Sequence, residues 1–548
     1  MGTGEHAGSQ VAGRRGRHGR RLTTKHAGIM AAVALAATSS IVWAQSGHQS
    51  ASARDVTAAS VSFPHGHLTY TADSHGDRVP DFSSAGYRGG KALPDAPAKV
   101  QLTVVASGDD TTRIQAALDK VAKLPARADG VRGAVVLGPG KFRVRAALTL
   151  SSGVVLRGSG SGGSGTILVA QGNAGSLITI GGTGSYTATG KRTAVSDTYV
   201  PVGARTLSVA DASTFQAGEQ IVVERPTTQP WIKAIGMDQM PGGGWKASSG
   251  ILAVRTITAV TGHTLSLDAP LTTALDRQYG GGSVWHYTLP GQVSQAGVEH
   301  LAADATAFSK DPDYGKPASG ASADSGAFAA RLITFNAVRD SWASDVKLTH
   351  FGSGIWVQDN ASRVTIDQAA DLDMAVPAKL SPPPAFMIGG QQVLVQNTTV
   401  TGDNIHAWTT QAYAAGPNVF TRGTARSLTG TGQVDAGPHL KWGSGTLYDQ
   451  LTITSTQGAF IVRNDFDGGA SGHGWQGANN VFWNIQAAKY TLQQPPTAHT
   501  WAFGITGKAV PGKHDSQLPT PPQQGSIVSS GTLVQPASLY AEQVAERP

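Results

Sequence analysis

Most of the side chains that could carry chemistry in this 548-residue chain fall between Asp403 and Trp475. They lie in four short segments: GDNIHAW (402–408), QVDAGPHLKWGSG (433–445), IVRNDFDGG (461–469) and SGHGWQGANN (471–480). Two inventories fit. β-Elimination on a uronate needs a cation to neutralise the carboxylate and acidify the neighbouring C–H, plus a base to take the proton. Arg463 suits the first role. His439 and Lys441 are the leading bases, with His406, His473 and Asp403 placed to support proton transfer, because buried His and Lys titrate near neutrality. Glycoside hydrolysis needs paired carboxyl groups instead. No Glu occurs from Arg331 to Gly507, so that pair would come from Asp403, Asp435, Asp465 and Asp467. Trp408, Trp442 and Trp475 each lie within three residues of a His, which suggests flat platforms for sugar rings, with Asp435 and Asp465 as polar binding groups beside them.

Other motifs carry less. His406, His439 and His473 are too far apart in sequence to define zinc-ligand spacing. Asp465 and Asp467 offer oxygens of the kind Ca²⁺ takes, but Asp in a Gly-rich turn commonly satisfies its own backbone, so no metal or other cofactor is assigned. The run GSGSGGSG (158–165) lacks the Lys-Ser/Thr of a phosphate loop and reads as a turn.

The elements that must position these residues are legible from Thr111 to Leu168. Ile114, Ala117, Leu118 and Val121 have helical spacing, so TTRIQAALDKVAK is an amphipathic helix. Short β-branched runs follow at Val135–Leu137, Phe142–Val144, Leu148–Leu150, Val154–Leu156 and Thr166–Leu168, with gaps too short for crossover helices. A helix feeding short strands through tight turns suits a coil that stacks on itself under a capping helix. This stretch resembles the N-terminal signature of the pectate-lyase-like superfamily. The resemblance implies an all-β, right-handed parallel β-helix and a secreted, carbohydrate-directed protein. Gly472-His473-Gly474 is similar to an element of the polygalacturonase branch, but the Asp pair and Arg-Ile-Lys that accompany it are missing. The lyase signature Trp-Ile-Asp-His is also absent, so no residue roles carry over from either branch.

Composition sets the domain plan. Arg14, Arg15, Arg17, Arg20, Arg21 and Lys25 precede the apolar run Ala27–Ala44, so 1–44 reads as a signal peptide, with a loose twin-arginine pattern at Arg20-Arg21. That leader holds six basic residues against Glu5, and so five of the seven net positive charges; the remainder is near neutral and carries no nucleic-acid footprint. Residues 45–95 read as a linker and wrapping segment, 96–189 as the first coils, and 190–290 as an inserted domain of β-hairpins. Residues 291–507 are the main solenoid and 508–548 a tail. With no Cys, stability must come from stacked coils. The expectation is an exported enzyme cleaving a polysaccharide, an acidic one by β-elimination. A glycoside hydrolase on the same groove is the alternative, and a non-catalytic glycan-binding protein the third reading. No membrane insertion is expected once the leader is removed, and the oligomeric state is left open, a trimer included.

Overall fold

The structure is a computed structural model describing residues 54–56, 60–171, 175–240, 243–306, 331–374, 382–466, 473–512 and 521–547. The leader and Asp467 lie outside the described residues. Three parallel ladders make the chain a right-handed parallel β-helix. Along one ladder, Val135, Leu156, Val298, Ala343, Ile366, Val395, Phe420, Tyr448, Phe482 and Ala502 stand in register on successive coils. Tyr448 stacks on Phe482 at 4.8 Å with the rings 6° from parallel, as expected when identical positions repeat at coil spacing. A second ladder aligns Leu148, Ile178, Ile333, Ile355, Phe386, Trp408, Ala436, Phe460 and Tyr490. The third runs from Phe142 through Leu168, Ala303 and Leu348 to Val400, Ala425 and Ile453. Asp371 interrupts it between Leu348 and Val400. Asp371 is fully buried with neither oxygen hydrogen-bonded, and that burial pushes its carboxyl well above the usual range.

Helix α1 (Thr111–Ala122) covers the first coils with Ile114, Ala117, Leu118 and Val121 buried. The first ladder is apolar on both sides. Its outer row, Leu394, Val419, Leu447, Val481 and Trp501, is covered by Val79, Phe82 and Ala85 from the N-terminal segment and by Leu539 and Tyr540 from the C-terminal helix Leu539–Ala545. Burial on both faces explains the near-continuous apolar runs of these strands.

Between residues 187 and 288 the chain leaves the solenoid and forms a six-stranded antiparallel sheet with its own core, including Ile221, Val223, Ile257 and Leu265. It is held to the coils by Arg255, which is fully buried and donates to the carbonyls of Ala269, Pro270 and Gly416. Gln391 on the coil accepts from the Val254 amide at 2.7 Å. Across the junction the Arg255 guanidinium is met by the Gly416 carbonyl and the Val254 amide by the Gln391 side chain. Helix α2 (Gln229–Ala234), with Pro230 in its first turn and Thr228 accepting from the Trp231 amide, brings Trp231 and Ile232 onto the main solenoid.

Candidate active site

The second ladder builds the site. Val434 and Ala436 of strand Val434–Pro438 belong to the interior core, so the alternation of a strand sends Asp435 outward, with Gly437 and then His439 following on the same side. On the preceding coil His406 is the register partner of Asp435. A bulge between His406 and Trp408 then returns Trp408 to the interior row. On the following coil Phe460 and Val462 point inward, leaving Arg463 and Asp465 beyond the strand end. Gly437 has φ of +140°, and a Cβ there would lie 2.0 Å from the Ile461 carbonyl oxygen, so no side chain fits between Asp435 and His439.

Six residues form one continuous row. His406 Nδ1 donates to Asp435 Oδ1, whose other oxygen accepts from Gln433 Nε2 at 2.8 Å. The His406 and His439 rings lie 5.1 Å apart, and those of His439 and His473 lie 5.0 Å apart. His473 Nδ1 donates to Asp465 Oδ2 at 3.2 Å, and Arg463 Nη2 donates to Asp465 Oδ1 at 3.0 Å. The row therefore runs Asp435, His406, His439, His473, Asp465, Arg463. His439 Nδ1 and Arg463 Nε are buried and have no hydrogen-bond partner.

The electrostatics separate the members. Burial would raise the Asp435 carboxyl, but the charge and hydrogen bond of His406 hold it below the usual range. The same contact outweighs burial at His406 and raises that imidazole. Among the described residues no carboxylate is hydrogen-bonded to His439. Burial first, then the charges of His406 and His473, push it down to about 4, so it is neutral near neutral pH. At Asp465 burial is outweighed by His473 and Arg463, which keep its carboxyl low. The row thus holds two carboxylates kept ionised and one central imidazole kept neutral.

Five residues expected at the site are placed elsewhere in role. Trp408, Trp442 and Trp475 are at most 1% exposed and present no face to a sugar. Trp408 fills the interior row and donates to Thr398 Oγ1 at 3.0 Å. Trp442 packs edge-on against Trp231 of α2 at 4.8 Å, and Trp475 donates to the Ile235 carbonyl at 3.0 Å. Each indole gains more from burying its large apolar surface than from an open groove. Asp403 accepts from Ser427 Oγ and the Leu428 and Thr429 amides, which pins a turn. Lys441 is half-buried with φ of +49°, and among the described residues no hydrogen bond or ion pair links its side chain to the row. Sequence reading missed two supports, Gln433 beside Asp435 and Gln476, whose Oε1 accepts from the Arg463 amide at 3.2 Å. Neither residue type signals such a role locally.

Fold and site together define a parallel β-helix protein with a histidine–carboxylate row on one outer face. No family model matches the sequence, and no curated protein matches it. Similar solved structures include the tailspike protein gp49 from Pseudomonas phage LKA1, at 13% identity and a TM-score of 0.32, covering 77% of this chain and 70% of that one. The Gp54 tailspike of Acinetobacter baumannii bacteriophage AP22, in complex with a capsular saccharide, gives 10% identity and 0.27, covering 78% and 74%. The catalytic unit of a GH87 alpha-1,3-glucanase from Streptomyces thermodiastaticus gives 10% identity and 0.33, covering 80% and 71%.

Proposed function

We propose that the chain is an exported polysaccharide lyase that cleaves a uronate-containing polymer at the row Asp435–His406–His439–His473–Asp465–Arg463. The observation that carries this reading is His439: a neutral imidazole with an unpartnered nitrogen, set between two imidazoles that each hold a carboxylate. In the reaction His439 takes the proton at C5 of the uronate. The C5–H electron pair becomes the C4=C5 double bond as the C4–O bond breaks. His406, kept cationic to higher pH by Asp435, returns a proton to the leaving oxygen. The Arg463 guanidinium, whose side chain is 36% exposed, supplies positive charge to the substrate carboxylate. A hydrolytic pair would need one carboxyl group kept protonated; Asp435 and Asp465 are both held in the opposite sense. The basic-then-apolar leader supports export.

The test follows ultraviolet absorbance of unsaturated uronides and new reducing ends together, on a panel of acidic and neutral polysaccharides. Absorbance rising with reducing ends is expected, and His439→Gln should lower kcat by about 10²–10⁴-fold without unfolding the chain. The acid limb of kcat/KM should fall near the low value of His439, about 4, well below that of a free imidazole. Reducing ends without absorbance would overturn elimination in favour of hydrolysis by Asp435 and Asp465. Binding with no cleavage would leave a glycan-binding scaffold.

A further inference from the structure

A second cluster of chemical groups lies away from the histidine row, where the N-terminal segment, the inserted sheet and the late coils meet. His499 Nε2 is 3.2 Å from Asp73 Oδ2 and 3.6 Å from Asp77 Oδ2. One donor atom from each residue falls within 4.8 Å of the other two. Each carboxylate is fixed through other contacts. Asp73 Oδ1 accepts from the His75 and Asp77 amides at 2.8 and 2.9 Å. Asp77 Oδ1 accepts from the Val202 amide at 2.7 Å, and its Oδ2 from the Tyr199 hydroxyl at 2.8 Å. The His499 ring is stacked on Trp501 at 4.8 Å. All three side chains line a cleft of about 490 Å³. Trp442 lines the same cleft; it is 1% exposed, and its Nε1–H has no hydrogen-bond partner, so the cleft wall carries a buried donor that the protein itself does not satisfy.

We propose that Asp73, Asp77 and His499 form a site for a divalent transition cation, Zn²⁺ or Mn²⁺, whose remaining coordination positions open into this cleft. Ligands at about 2.0–2.2 Å from one ion lie roughly 3–4 Å from each other; His499 Nε2 stands at 3.2 and 3.6 Å from the two carboxylate oxygens, and all three atoms lie within 4.8 Å. One imidazole and two carboxylates suit such a cation better than Ca²⁺, which takes six to eight oxygens. With a neutral imidazole the three ligands carry two negative charges, matching a dication. The hydrogen bonds from backbone amides and Tyr199 orient the carboxylates in the way outer partners orient metal ligands. A cation here would tie the N-terminal segment to the late coils. It would also give the cleft a Lewis-acidic wall facing ligands with acceptor oxygens.

The experiment uses the full chain, stripped with a chelator and dialysed, then titrated calorimetrically with Zn²⁺, Mn²⁺ and Ca²⁺; Co²⁺ uptake is followed by visible absorption. One Zn²⁺ or Mn²⁺ per chain is expected. His499→Ala and Asp77→Asn should each weaken binding by about tenfold or more and abolish the rise in Tm that the cation gives the wild type. Tyr199→Phe keeps all three ligands and tests the supporting hydrogen bond; it should weaken binding by a smaller factor while retaining the Co²⁺ spectrum. Absence of stoichiometric uptake by the wild type would reduce the cluster to a His–Asp ion pair and overturn the proposal. Uptake unchanged in His499→Ala, or selective for Ca²⁺, would overturn it equally.

Discussion

At the scale of single residues, the pairing of His406 with Asp435 sets the behaviour of the row. Asp435 is held low and His406 high, so their contributions to stability overlap in a defined window. The carboxylate's share is complete above its unfolded value of about 3.9 and is lost as pH falls through its folded value. The imidazole's share is complete below about 6.5 and is lost as pH rises through its folded value. Asp435→Asn should therefore cost about 3–5 kcal/mol between those limits, because it leaves a buried imidazolium without its partner. Urea unfolding at pH 5 and pH 9 checks this: the gap between wild type and variant should narrow at pH 9. A gap of equal size at both values would make the pair a neutral hydrogen bond with no charge at stake. The types needed for this row were legible in the sequence, since His, Asp and Arg recur there among glycines. Their convergence was not, because His406 and Asp435 meet only through a register 29 residues long. The tryptophans were misread for a related reason. Nothing near Trp442 or Trp475 announces that Trp231, more than two hundred positions earlier, will cover them.

At the scale of elements, the helix and the first strands were legible because their periods are short and local: 3.6 residues for α1 and runs of three to five between tight turns. The terminal segments were less so. The residues that cover the first ladder's outer row, such as Val79, Phe82 and Ala85, recur every third position in a segment that forms neither helix nor strand, so neither period marks them. Beside the packing of Leu539 and Tyr540, a buried carboxyl helps to fix the start of the C-terminal helix. Asp449 accepts from Ser538 Oγ, Thr421 Oγ1 and the Leu539 amide, and Ser538 also caps the helix by accepting from the Ala541 amide. Burial outweighs these bonds and raises Asp449 from 3.8 to about 6. A raised carboxyl favours the folded state fully below its unfolded value, and the advantage is lost as pH rises through about 6. Docking of the helix should be firmer at pH 5 than at pH 7.5 by about 1.4 kcal/mol, because only the one unit between pH 5 and about 6 counts. Hydrogen exchange of the amides in Leu539–Ala545, corrected for intrinsic rates, reads this directly. Asp449→Asn keeps an acceptor but cannot ionise, and should remove the difference. An undiminished pH dependence in that variant would assign it to another group.

For the whole molecule, stability is a sum over neighbouring coils, and the two ends need different treatment. The N-terminal end is closed by α1, whose four buried apolar residues seal the first interior layer. At the other end, strand Ser526–Val528 pairs with Thr500–Phe503, and Asn484 holds the following segment through the carbonyls of Val534 and Ala537. Beyond it the C-terminal helix covers an outer row containing Trp483, Trp501 and Phe503. A chain ending at Gly512 would expose that row together with an unpaired parallel edge, a template for association with other chains. Because each coil contacts only its neighbours, the damage should be graded along the axis. Exchange protection should fall across strands Asn480–Trp483 and Thr500–Phe503, while strands Gly133–Leu137 and Val154–Arg157 beneath α1 keep theirs. Light scattering should show higher oligomers for the truncated chain at concentrations where the full chain shows none. Uniform loss of protection from one end to the other would instead mean that the solenoid folds as one cooperative unit, with the inserted sheet and the wrapping termini coupling coils that do not touch.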